Sequence, residues 1–119
     1  MKTTFVSTCL LSLAVTGSAL AHSPVKETSP ANEAVLEAVP DMLHMTFAAP
    51  ARVMKVTMTH SKGDATHESR LEIPTRDTVE EIHLTPEFMG SGNYLVEWRA
   101  LGGDGHVLKG TFSFQVTGE

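Results

Sequence analysis

Two alternating segments joined by a glycine-rich bend constrain the fold of this 119-residue chain more than any other feature. Tyr94, Val96, Trp98 and Ala100 alternate with Asn93, Glu97 and Arg99, and Phe112, Phe114 and Val116 alternate with Thr111, Ser113 and Gln115. A period of two is the mark of a half-buried strand, because successive side chains point to opposite faces. Between the two lies Gly102-Gly103-Asp104-Gly105-His106, whose three glycines open turn conformations that other residues avoid. The chain is therefore expected to make a long hairpin here, carrying a carboxylate and an imidazole two residues apart at its tip.

The remaining segments predict more strands of the same kind. Pro24 to Thr28 reads as an edge strand, followed by a turn at Ser29-Pro30-Ala31-Asn32. Glu33 to Val39 suggests one short helical turn ended by Pro40. Leu43, Met45 and Phe47 mark a second strand, which Ala49-Pro50-Ala51 is expected to break, and Met54, Val56 and Met58 a third. Ser61 to Asp64 reads as a loop. Leu71 with Ile73, and Ile82 with Leu84, mark two further short strands. No helical pattern of useful length follows the first 21 residues. About seven short strands with a turn signal at each break predict an all-β fold, a small antiparallel β-sandwich with Greek-key connections.

The first 21 residues read as a cleaved export signal. Lys2 supplies a positive start, Phe5 to Val15 form a short apolar run, and Ala19-Leu20-Ala21 offers the small residues that a signal peptidase prefers. The domain division expected is 1–21 signal and 22–119 a single β-sandwich domain. Loss of Lys2 leaves eight Lys and Arg against fourteen Asp and Glu, a net charge of 8 − 14 = −6 with histidines neutral. An acidic surface disfavours nucleic acid and anionic membranes and attracts cations. The single cysteine, Cys9, leaves with the signal, so disulfides, a cysteine nucleophile and thiolate metal ligands are all excluded from the exported domain.

Cleavage after Ala21 makes His22 the first residue, and its free amine and Nδ1 can close a six-membered chelate ring on one ion. His22, Asp104 and His106 then form the strongest constellation in the chain. Two imidazoles, an amine and one carboxylate oxygen suit Cu(II) in a tetragonal arrangement, one ion per chain. Zn(II) could use the same groups but gains nothing from planarity. Spacing alone balances this against a plain Asp-Gly hairpin turn with a solvated histidine. Met42, Met45, Met54 and Met58, with His44 or His60, could hold Cu(I), yet methionine at such positions reads first as core. His60 and His67 flank the Ser61–Thr66 loop and read first as solvated, and His83 beside Glu81 reads as surface. Trp98 leads toward the metal turn and could wall one side of it. Nucleophile elbow, HExxH and phosphate-cradling motifs are all missing from the sequence, so the chain is not expected to be an enzyme.

His22, Ser29-Pro30, Gly92-x-Tyr94-x-Val96-x-Trp98-Arg99, Asp104-Gly105-His106, Gly110 and Phe112-x-Phe114-x-Val116 together resemble the CopC family of periplasmic copper-resistance proteins. The resemblance implies a cupredoxin-like or immunoglobulin-like β-barrel, monomeric and periplasmic. It also implies a Cu(II) ion held by the His22 amine and ring, Asp104 and His106. An inner-membrane CopD-like copper transporter is the partner it suggests. Some members hold Cu(I) in a methionine-rich loop; the matching stretch here, Thr59 to Ser69, has His60 and His67 but no methionine, so a Cu(II)-only form is expected. The alternative is a small copper oxidase with an N-terminal histidine brace, against which stand the small domain and the position Asp104 would occupy.

Overall fold

A computed structural model describes residues 24–118, and the signal-like segment and His22 lie outside the described residues. Seven strands follow in order: β1 (Val25–Ser29), β2 (Ala34–Leu36), β3 (Leu43–Lys62), β4 (Ala65–Arg70), β5 (Val79–Leu84), β6 (Gly92–Gly102) and β7 (Val107–Val116). Among the described residues there is no helix. The expected all-β sandwich is the fold observed.

Its organising element is β3, a strand of 20 residues that serves both layers. The first half pairs with β1 on one side and β5 on the other, through Ser29↔His44 and His44↔His83. The second half pairs with β6 from Arg52↔Leu101 to Ser61↔Asn93, and with β4 from Thr57↔Arg70 to Lys62↔Ala65. Beyond β6 the order continues to β7 and β2. The change of layer occurs where β3 advances from Thr46 to Ala51 while β5 steps only from Glu81 to Val79. Ala48, Ala49 and Pro50 are pushed outward there and are exposed. The sequence predicts a strand break at Ala49-Pro50-Ala51. Proline without an N–H donor does interrupt the ladder, but it bends the strand instead of ending it.

A second irregularity corrects the methionine reading. Val53 pairs with Ala100 and Lys55 with Arg99, leaving Met54 as the extra residue of a β-bulge. The bulge shifts the alternation by one, so Val53 and Val56 face inward while Met54 is 45% exposed. Met45 and Met58 are core residues, whereas Met42 is at the surface. The expected helical turn at 33–39 is instead the short strand β2, parallel to β7 through Ala34↔Phe114 and Leu36↔Val116. Glu33 enters it with φ 66° and donates its N–H to the Ser113 carbonyl. The tertiary edge of β7 overrides a weak local helical preference. Leu71 and Ile73 lie just beyond β4 and not in a strand; Leu71 packs in the core.

The core lies between the layers. Phe47 from the first half of β3 meets Trp98 of β6 edge-on at 5.8 Å, and Tyr94 stacks on Phe114 at 4.9 Å. Trp98 pairs across the ladder with Gly110, and a Cβ at position 110 would come within 2.7 Å of the indole. The indole is boxed in by the core, so Gly110→Ala is expected to destabilise the fold by about 1–3 kcal/mol through overpacking. Denaturant unfolding followed by Trp98 fluorescence measures this, with an unchanged midpoint as the contrary result.

Candidate metal centre

The β6–β7 hairpin is built as its sequence suggests. Gly102 N–H donates to the His106 carbonyl at 2.8 Å and Gly105 N–H to the Gly102 carbonyl at 3.0 Å. Gly105 has φ 86°, which a side chain would strain. Within this frame Asp104 Oδ1 accepts from the His106 backbone N–H at 3.1 Å, an Asx-type contact, and Oδ2 lies 2.7 Å from His106 Nδ1. Both side chains are largely exposed. The hydrogen bond from the imidazole, followed by that from the backbone N–H, holds the Asp104 carboxyl below its ordinary range. The same carboxylate, by hydrogen bond and then by charge, raises the His106 pKa above its ordinary value.

Two donors bound cis to one ion at bond lengths near 2.0 Å lie about 2.8 Å apart. The Asp104–His106 spacing is close to that edge, although the two groups now face each other, so an ion would be held only after the exposed imidazole turns to aim its nitrogen at the same point as the carboxylate. An exposed imidazole–carboxylate pair with nothing else beside it would be a poor site, and its surroundings matter. A groove next to the turn is lined by Gly102, Gly103, Asp104 and Leu108 on the hairpin and by Ala48, Ala49 and Pro50 of the β3 bend. Its remaining wall is Pro24, whose carbonyl accepts from Ala48 N–H at 2.9 Å. The described chain thus begins beside the Asp104 turn. Sequence reading missed the β3 bend and Pro24 as walls; Pro50 between alanines was the signal, read there as punctuation.

Other expected site residues fall elsewhere. Trp98 does not line this groove. It faces the core, and its edge borders a separate depression above Gly110. His60 is buried, against the expectation of a solvated loop histidine: its Nε2 lies 2.8 Å from the Ser91 carbonyl and its ring leans on Tyr94. His60 and His67 are direct cross-strand partners in the β3–β4 hairpin, so the loop between them shrinks to a turn around Gly63. Close packing explains the difference, since Gly92 lacks a side chain where a Cβ would sit 2.5 Å from His60 Nε2. Tyr94 fixes the neighbouring loop by accepting from Met89 N–H and donating to the Gly90 carbonyl, and burial pushes its pKa up.

The family model for the CopC domain matches residues 25–117. The chain belongs to the CopC family. Copper resistance protein C of Escherichia coli is 29% identical over 114 residues, covering 89% of this chain and 90% of its own. CopC from Methylosinus trichosporium OB3b shares the fold with a TM-score of 0.63 and 24% identity, over 82% of this chain and 96% of the other. PcoC, a methionine-rich copper resistance protein from Escherichia coli, superposes with a TM-score of 0.60 and 25% identity, over 82% of this chain and all of the other. As in the sequence reading, the CopC match spans the whole sandwich and not the hairpin alone.

The Asp104–His106 pair makes a direct prediction for the metal-free protein. Asp104→Asn removes the charge that favours the imidazolium, so the His106 pKa should fall back toward its ordinary value. Titration of the His106 ring protons by NMR reads this, and an unmoved midpoint would show that the hydrogen bond does not form in solution.

Proposed function

We propose that this CopC-family chain is exported to the periplasm, where it binds one Cu(II) ion for copper homeostasis and resistance. The His22 amine and imidazole, Asp104 and His106 are the ligands. The observation that carries this reading is the position of Pro24 on the wall of the Asp104 groove. His22 stands two residues before Pro24, at most about 7 Å of extended chain. An amine and a ring nitrogen that close to the turn complete a nitrogen-rich set with one carboxylate oxygen. On such ligands copper outranks the other divalent ions. The E. coli relative is a copper resistance protein by description, which agrees in kind.

The site is that of a carrier or buffer and not of an enzyme. Asp104 occupies a coordination position that an oxygen-activating centre leaves open. A methionine-rich Cu(I) site is not part of the proposal. Residues 59–69 contain no methionine, His60 is committed to the Ser91 carbonyl, and Met45 and Met58 are buried in the core. The CopD-like membrane partner is the natural recipient or source of the ion for such a protein.

Two variants test the ligand set. His106→Ala, and separately one extra residue placed before His22, should each weaken Cu(II) binding by roughly 100-fold or more, about 2.7 kcal/mol. Both should leave the far-ultraviolet spectrum and unfolding midpoint unchanged, because the His106 side chain is exposed and the added residue precedes the first strand. Isothermal titration with a competing chelator, with electron paramagnetic resonance to count equatorial nitrogens, reads the result. Unaltered affinity in the extended chain would remove the amine from the site. Sustained peroxide production from ascorbate by the copper-loaded protein would favour the oxidase instead.

A further inference from the structure

The outward face of the β1–β3–β5 layer carries a second group of metal donors that the sequence reading left unassigned. His44 and His83 are direct partners across the β3–β5 ladder, and their rings stack with centroids 4.2 Å apart and planes 3° from parallel. Glu81 stands two residues before His83 on the same face. Its Oε2 lies 3.3 Å from His44 Nε2, and its Oε1 lies 4.0 Å from His83 Nε2. One donor atom from each of the three falls within 4.8 Å of the other two.

The remaining nitrogen of His83 sharpens this arrangement. Nδ1 lies 3.2 Å from the Met42 sulfur, a thioether that can only accept. An Nδ1 proton directed at this sulfur would leave the Nε2 lone pair for an ion on the Glu81 side, the way an outer partner fixes the tautomer of a ligating histidine. The ladder register adds a further acidic group nearby, since Glu27 and Glu81 flank Thr46 from opposite sides.

We infer that His44 Nε2, His83 Nε2 and the Glu81 carboxylate form a second, surface site for a divalent ion of the zinc–copper class. Ligands at about 2.0–2.2 Å in a tetrahedral arrangement stand about 3.4 Å apart. The His44–Glu81 distance already meets this. An ion lies in the plane of each imidazole that binds it, so one of the two stacked rings must turn out of the stack before both Nε2 atoms face the same point. Two imidazoles exclude magnesium and calcium, which take oxygen donors. Three protein ligands leave a fourth position to water or to a donor from outside. The site does not depend on His22 or on the Asp104 turn. His44 lies four residues along β3 from Ala48, roughly 13 Å of strand, and does not line the groove beside Asp104.

The test is a Zn(II) titration of the full exported chain, with the imidazole resonances followed by NMR. His44 and His83 should respond together, with one midpoint. That response should survive His106→Ala unchanged, and the His44 resonance should no longer respond in either Glu81→Gln or His83→Asn. These side chains are exposed enough for the variants to fold, which the amide spectrum checks. No joint response up to about 1 mM Zn(II), a Kd that would amount to only about 4 kcal/mol of binding, overturns the proposal. So does a His44 response of unchanged midpoint in Glu81→Gln and His83→Asn. Failure of the unsubstituted chain to bind Cu(II) at the hairpin, with the His44–His83 response intact, would count against the Cu(II) reading alone.

Discussion

One strand has to belong to both layers, and the rest of the molecule depends on it. β3 runs 20 residues as one strand through an interruption of its ladder, pairing with β1 and β5 before its bend and with β4 and β6 after it. The bend sets the distance between the layers that Phe47 and Trp98 fill. It also pushes Ala48, Ala49 and Pro50 out against the β6–β7 hairpin and holds Pro24 there through the Ala48 N–H. Core and candidate centre therefore share one cause. A change that straightened β3 would loosen the aromatic packing and pull one wall from the groove beside Asp104.

The parts of this fold legible in the sequence are those where local pattern and tertiary demand coincide. Tyr94 to Ala100 and Phe112 to Val116 are buried on alternate positions just as their spacing implies, and the Asp104–Gly105–His106 turn closes as a glycine-rich hairpin should. What stayed hidden were departures from a fixed period. The extra residue at Met54 moves a methionine out of the core, and no property of Met54 itself announces it. Pro50 looked like an end and proved to be a corner. Ala34 to Leu36 joins β7 because an edge was there to pair with, which three residues of local sequence cannot declare.

The histidines show the same division. His106 was legible because its partner is two residues away. His60 was read as solvated because its cover comes from Gly92, Ser91 and Tyr94, over thirty residues later. His44 and His83 were passed over because each, alone, is an ordinary surface residue on an alternating strand. Only the β3–β5 register, some 40 residues apart in sequence, lays one ring on the other with Glu81 alongside. Long-range antiparallel pairing decides which polar groups meet, and a single sequence does not print its register.

The openness of the hairpin turn has a kinetic meaning. Asp104 and His106 are 68% and 81% exposed, so the donor pair lies at a rim and not in a cage. If the proposed ion sits there, an incoming protein can offer its own nitrogen or sulfur to it before any original ligand has let go. Exchange by such an overlapping route avoids a bare ion in water, and its speed follows the concentration of the acceptor more than the tightness of the donor's grip. A rim site of this kind can hold its cargo firmly against solvent and still surrender it quickly on contact.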